Sequence, residues 1–342
     1  MRLNRMLALG ASLLVLVVSA CSTGGGSTPT PATTVAPATA AQPSSGGAKP
    51  TIKIGSDSFY EAKLMAEIYA EALEANGYTV DRSGIGLGAR PVTTPALESG
   101  QIDLKPEYVG SGLGYYTTGP GASGSPASSP AGPTGDPAAN AAALQAILAT
   151  KGGGITVLAY SPAADQNAFV VRAETASKFY LAKISDTTAV QDQLKWGLAT
   201  DCPTNPLCGA PGGALQTTYG LTAQTIQKAT LLAACDQPMV DALNGKTIDV
   251  GELCSTQPDI AKNGWVLLQD DKHSQPADNI APLVRNDYLA KVDSASFEKI
   301  LNSVSAKMDT ATLTSLNSQF TFDKKDIPTI AKAWLLANGF VH

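Results

Sequence analysis

Histidine is almost missing from this chain: 342 residues contain two, His273 and His342. That leaves little material for Ser-His-Asp hydrolysis or for multi-histidine metal sites, so an enzyme is not expected. Charge is also sparse, at 15% of residues, with a net balance of −5 and no long run of Lys or Arg. Nucleic-acid binding needs clustered cations to neutralise phosphates and is not expected either. Cysteine occurs five times, without a C-x2-C pair, so neither a zinc site nor another cofactor is anticipated. Against these shortages stand 32 Gly and 22 Pro, which implies segments poor in both charge and large apolar side chains. The length allows two domains.

The first such segment follows a targeting signal. Arg2 and Arg5 precede the apolar run Met6 to Val18, which is too short for a comfortable membrane span and reads as a signal peptide over 1–20. Ser19-Ala20-Cys21 then resembles the lipobox at which bacterial lipoproteins are cleaved, so Cys21 is the expected lipidated first residue of the mature protein. Residues 21–50 hold one charge, Lys49, and nothing apolar larger than valine. They cannot bury enough surface to offset chain entropy, and a disordered tether is expected. Residues 117–137, with five Gly and five Pro, repeat that composition inside the body. They read as a disordered surface excursion, because a helical pattern resumes at Asn140 to Ala149.

Between 51 and 342 strand-like and helix-like patterns alternate, which predicts an α/β fold. Thr51 to Gly55 reads as a strand. Ser58-Phe59-Tyr60-Glu61 has the form of a helix capping box, and Leu64, Met65, Ile68, Tyr69, Ala72 and Leu73 recur at helical spacing up to Asn76-Gly77. Tyr78 to Val80 then resumes as a strand, and 155–159, 168–172, 195–199, 247–250 and 265–268 are further strand candidates. A short internal repeat stands out: Ala96-Leu97 lies six residues before Ile102-Asp103, and Ala242-Leu243 six before Ile248-Asp249. Two lobes of similar construction follow from it, each offering the carboxyl ends of its strands to a ligand.

Three stretches carry a family resemblance: Ile54-Gly55-Ser56-Asp57-Ser58-Phe59-Tyr60-Glu61, then Ala96 through Gly110 with its Pro106-Glu107-Tyr108, and Leu268-Gln269-Asp270-Asp271-Lys272. Over nearly all of 51–342 the chain resembles the extracytoplasmic substrate-binding proteins of ABC transporters for glycine betaine, choline, carnitine and related osmoprotectants. The resemblance implies a two-lobed type II periplasmic-binding-protein fold with a hinged ligand cleft. Lobe 1 would hold 51–160 and 276–342, and lobe 2 would hold 161–275, with crossovers near Ser161-Pro162 and Gln275-Pro276. It also implies a small-molecule solute, permease subunits as partners, a monomer, and a place on the outer face of the cell membrane, held by the lipid anchor.

A quaternary ammonium offers no hydrogen-bond donors, so aromatic faces and a carboxylate must hold it. The resemblance carries the ligand-contacting tyrosine onto Tyr108, with Tyr115 and Tyr116 on the loop that follows; Phe59 and Tyr60 are further ring candidates. Free amides at Ser58 to Glu61 offer an anion site at a helix N-terminus. Asp57 stands where many relatives have lysine, and Arg90 is the candidate replacement cation. Asp165 is kept, but Asn167 replaces an aromatic, which favours a more polar hydroxylated or amine solute as the alternative ligand. Thr204 and Asn205 fall at the expected second-lobe rim, and Ser255-Thr256 at a hydroxyl-bearing cleft loop. Four cysteines remain beside Cys21, and in an exported chain they read as two disulfides. Three pairings are possible, of which Cys202–Cys208 with Cys235–Cys254 is the expected one. A lipid-anchored sensor or adhesin on the same fold is the rival class.

Overall fold

The computed structural model of the protein describes residues 49–117, 132–205 and 207–342. The signal peptide, Cys21, nearly all of the tether and residues 118–131 lie outside the described residues. Among the described residues the strands are β1 (Ile52–Asp57), β2 (Val80–Gly88), β3 (Leu104–Tyr108), β4 (Ile155–Val157), β5 (Asn167–Val171), β6 (Trp196–Ala199), β7 (Thr230–Leu232), β8 (Val250–Cys254), β9 (Val266–Leu267) and β10 (Ile280–Arg285). They form two five-stranded sheets, ordered β2-β1-β3-β10-β4 and β7-β6-β8-β5-β9.

The two sheets follow one plan. In the first, β1 runs parallel to β2 and β3, while β10 runs antiparallel to β3 and β4. In the second, β6 runs parallel to β7 and β8, while β5 runs antiparallel to β8 and β9. Each antiparallel strand is the one the chain enters after leaving the other sheet. The passages run side by side: Ala164 bridges Asn279, and the Asp165 amide donates to the Asp278 carbonyl at 3.0 Å.

The short sequence repeat marks equivalent places in this plan. The Asp103 amide donates to the Lys53 carbonyl and the Asp249 amide to the Lys195 carbonyl, both at 2.7 Å, and each aspartate side chain accepts from that same lysine's amide. Arg285 binds the Leu97 carbonyl, and Arg172 the Leu243 carbonyl. A Cβ on Gly55 would stand 2.5 Å from Ile102 Cδ1, and one on Gly197 would stand 2.5 Å from Ile248 Cδ1. Glycine is required at both because the isoleucine two residues before the neighbouring strand packs directly on the backbone.

The helix Tyr60–Ala75 turns Leu64, Met65, Ile68, Tyr69 and Leu73 into the core, where they meet Phe297, Leu301, Ile330 and Leu335 from the C-terminal helices. It ends at Asn76, followed by Gly77 at φ 78°, a left-handed residue that suits glycine. Its start differs from the sequence pattern. Phe59 occupies the N-cap without a side-chain bond, and Glu61 turns inward rather than back onto the helix end. The capping box does not form because buried donors from three other elements compete for the Glu61 carboxylate.

Other boundaries also shift. The Tyr78 amide still closes the preceding helix onto Leu73, so β2 begins only at Val80. The Thr247 and Ile248 amides likewise bond back to the Ala242 carbonyl, so β8 begins at Val250, where the expected strand ended. β4 stops at Val157, short of Ala159. The end of the Gly/Pro-rich excursion is built into the fold: the Ala277 amide donates to the Thr134 carbonyl, and Asp136 caps the helix Pro137–Leu148. Tyr115 and Tyr116 lie on a helix, Val109–Thr117, rather than on a loop.

Candidate functional site

A cleft of about 740 Å³ opens where the carboxyl ends of β1, β3 and β8 converge, and its size falls in the range of small-molecule sites. One wall comes from Phe59, Tyr60 and Glu61 at the start of a helix, Tyr108 and Ser111 after β3, Arg90, and Asn317 and Phe320 of the helix Thr310–Thr321. The other wall comes from Asn167 at the start of β5, Cys254 to Asp259 after β8, and Ala234 to Gln237. Asp165 and Asp278, on the two passages between the sheets, line it as well.

Four aromatic rings face this space, all from the first wall. Phe59 and Tyr108 have centroids 5.5 Å apart, and Tyr60 stacks on Phe320 at 3.7 Å. Tyr108 is buried and donates its phenolic hydrogen to Glu61 at 2.7 Å. Glu61 also accepts from Asn317 Nδ2 at 2.6 Å and Thr256 Oγ1 at 2.8 Å, while Thr256 Oγ1 stands 2.7 Å from Asp165. A threonine hydroxyl has one hydrogen to give, so it satisfies one of the two carboxylates at a time. Burial raises the proton affinity of both acids; their mutual repulsion raises that of Asp165 further. Burial likewise lifts Asp278 to about 6, in spite of bonds from the Ser111 amide and hydroxyl.

The lining is acidic. Glu61, Asp165, Asp236, Asp259 and Asp278 face one cation, Arg90. That arginine is held by Glu107, whose Oε1 lies 3.0 Å from Arg90 Nη2, with the whole pair backed by Lys105 at 3.0 Å from Glu107 Oε2. Burial alone would raise the Glu107 carboxyl, but Arg90 and Lys105 outweigh it and hold it down at about 2. Arg90 therefore reaches the cleft with its charge already matched.

Of the residues expected at the site, Phe59, Tyr60, Arg90, Tyr108, Asp165, Asn167 and Thr256 come together in the cleft lining. The others lie elsewhere. Asp57 sits behind the wall, bonded to the hydroxyl of Thr93 and 3.2 Å from the fully buried Lys105. Ser58 is exposed and its amide is taken by the Gly88 carbonyl, which removes one of the amides offered to an anion. Tyr116 donates to Glu98 within a separate apolar cluster. Thr204 and Asn205 bond to Asp201 of their own turn, and Ser255 ties the Ala164 carbonyl to the Gln166 amide in the passage between sheets. Disulfides join Cys202 to Cys208 and Cys235 to Cys254, the expected pairing. The second is part of the cleft wall, clipping the segment that carries Asp236 and Gln237 to the end of β8.

Sequence reasoning missed Glu61 as a cleft acid, because its spacing from Ser58 suggested a helix cap. It also missed Ser111, Asp236, Gln257, Asp259, Asp278, Asn317 and Phe320. Asn317 and Phe320 share a helix face by their i, i+3 spacing, but nothing local says that this face meets β8.

Residues 50–337 match the family model described as the substrate-binding domain of an ABC-type glycine betaine transport system. The glycine betaine-binding protein YehZ of Escherichia coli is 25% identical over 298 residues, covering 84% of this chain and 91% of that one. A glycine-betaine-binding protein of Pseudomonas aeruginosa is 24% identical over 296 residues, covering 83% and 87%. In fold, the crystal structure of a glycine betaine/carnitine/choline ABC transporter protein superposes with a TM-score of 0.70 at 21% identity, over 84% of this chain and 99% of that one.

Proposed function

The chain belongs to the family of substrate-binding domains of ABC-type glycine betaine transport systems, and from that premise we propose that it delivers a small cation of the osmoprotectant type, choline-like rather than zwitterionic, to a membrane permease. The observation that carries this reading is the make-up of the cleft: five carboxyl groups, of which Glu61, Asp165 and Asp278 hold their protons more readily than usual, and four aromatic rings converge there, while Arg90 is matched by Glu107. Rings and carboxylates attract a cation. A zwitterion also brings a carboxylate, which would have to compete with Glu107 for Arg90 or face the acids unpaired.

In this reading the lobes are 51–160 with 276–342, and 161–275, closing about the paired passages at Asp165 and Asp278. The strand membership of the two sheets supports that division. Cys21 carries the lipid that holds the protein, as a monomer, on the outer face of the membrane; no helix among the described residues is long and apolar enough to cross one. Mass spectrometry of the mature protein tests the anchor, with a modified Cys21 N-terminus expected and an intact residue 1 contradicting it. A thermal-shift screen against betaines, choline, carnitine, polyamines and polyols tests the function. Stabilisation by cations is expected; stabilisation by neutral polyols alone would overturn it.

A further inference from the structure

Resting on the cation reading above, we propose that the empty cleft holds one proton between Glu61 and Asp165, and that the solute enters in exchange for it, so that cation binding and proton release are one event. The observation behind this is a contact between acids. Thr256 Oγ1 lies 2.8 Å from Glu61 Oε2 and 2.7 Å from Asp165 Oδ1, and the two carboxyl groups are hydrogen-bonded to each other. Carboxyl groups in contact do not both stay ionised, because like charges at that distance repel and neither group then has a hydrogen to offer the other.

Counting hydrogens places the proton. Glu61 receives the Tyr108 hydroxyl at 2.7 Å and Asn317 Nδ2 at 2.6 Å, whereas Asp165 receives the Thr256 amide at 3.2 Å. The one hydroxyl hydrogen of Thr256 serves one acid at a time. The bond between the carboxyl groups therefore needs a hydrogen of its own, and an acid O–H is its source. Glu61, with donors from three other elements, is the better-held anion, so the proton belongs to Asp165. In keeping with this, the bond between the two pulls Glu61 down and pushes Asp165 up, within a site where burial raises both.

The groups around the pair leave this balance in place. Tyr60 and Tyr108 are phenols that burial keeps protonated. Asp278 on the second passage, and Asp236 and Asp259 on the far wall, are further acids. Arg90 of the cleft lining is bonded to Glu107, which Lys105 backs.

Asp165 is half-buried rather than sealed, and it lines the cleft. So does Tyr108, whose hydroxyl is bonded to Glu61; a cation seated on that ring stands beside the pair. A positive charge there favours the ionised form of both acids. The Asp165 O–H bond breaks, its proton passes to water, and the charge of the solute replaces it. A quaternary ammonium does this without any N–H group, since it acts through its charge.

Calorimetric titration of the purified protein with choline, in buffers of different ionisation enthalpy such as phosphate and Tris, counts the protons released. Close to one proton per choline is expected at about pH 7, and a count falling toward zero at about pH 9.5, above the raised carboxyl of Asp165 at about 8. In Asp165→Asn the count at about pH 7 should fall by more than half. Glu252→Gln removes a buried acid that lies outside the cleft and should leave the count as it is. A count near zero at about pH 7 with choline bound, or one that does not fall with rising pH, overturns the exchange and leaves the cation reading standing; these counts come from the native protein and depend on no variant. An undiminished count in folded Asp165→Asn, or an equal loss in Glu252→Gln, overturns the placement of the proton on the pair. Failure of choline to bind under any of these conditions overturns the cation reading and the exchange with it.

Discussion

Thr256 Oγ1, just beyond β8, lies 2.8 Å from Glu61 Oε2 at the start of the first helix, joining residues 195 positions apart across the mouth of the two sheets. This contact links the walls of the cleft directly, and Asn317 reinforces it by bonding both Glu61 and the Thr256 carbonyl.

Thr256→Val keeps the shape and removes the hydroxyl. It leaves Glu61 and Asp165 without the hydrogen between them, and the loss of one hydrogen bond to a charged group is worth about 1.5–3 kcal/mol. Weaker binding of the cation by about tenfold or more is expected by calorimetry, with a melting temperature close to the native one. Unchanged affinity would mean that the wall-to-wall contact has no part in holding the closed site.

Tyr108 contributes a ring and a hydroxyl. Tyr108→Ala should weaken cation binding by about 1–3 kcal/mol through the lost ring, and Tyr108→Phe, which keeps the ring, should recover most of it. The two variants titrated side by side separate ring from hydroxyl. A fall in melting temperature for both with affinity retained would assign Tyr108 to packing alone.

Every ring in the cleft comes from one wall, and Asn167 stands on the other. Asn167→Tyr adds a face there, worth roughly 0.5–2 kcal/mol to a desolvated cation. Choline should bind more tightly to this variant than to the native protein when the two are titrated side by side. An affinity that stays the same or falls would show that position 167 does not face the bound ammonium.

Glu252 lies outside the cleft, buried beside Cys208 with its Oε2 accepting from the Ala199 amide. Burial pushes its carboxyl up to about 7, against the pull of that amide and helped by Asp201. The folded protein therefore holds a proton that the unfolded chain has already released, so this contribution to stability is complete below the ordinary carboxylate range and is lost as pH rises through about 7. Melting temperature should fall between about pH 5 and about pH 8, and Glu252→Gln, which cannot ionise, should flatten the fall. An identical pH profile in the variant would contradict the assignment.

Much of the fold was legible because the periodicities are strong: the first helix, its Asn76-Gly77 stop and the repeat at Ile102-Asp103 and Ile248-Asp249 are all local patterns. The α/β class and both disulfides followed from sequence and resemblance together. A third of the cleft lining, seven of its 21 residues, was legible as well, where rings and acids cluster near strand ends, as at Phe59, Tyr108 and Asp165. What stayed hidden depended on contacts between distant segments. Glu61 looked like a capping residue because its donors, Tyr108, Thr256 and Asn317, lie 47 to 256 positions away. Arg90 looked like a free cation because its partner Glu107 sits in the next strand. Asp57 looked like a reversed charge in the site because the lysine that answers it, Lys105, is buried behind the wall.

The charge of the cleft is the central claim, and calorimetric titration of the purified protein with choline and with glycine betaine, each at about pH 6 and about pH 8, tests it most directly. The two pH values sit at the raised carboxyls of Asp278, about 6, and Asp165, about 8, so each acid gains charge between them. Ionising these acids favours a cation, so choline should bind more tightly at the higher pH, by at most about tenfold per unit for each proton released, and more tightly than glycine betaine at both. Glycine betaine binding the more tightly of the two, with an affinity indifferent to pH, would contradict a cleft whose acids outnumber its available cations.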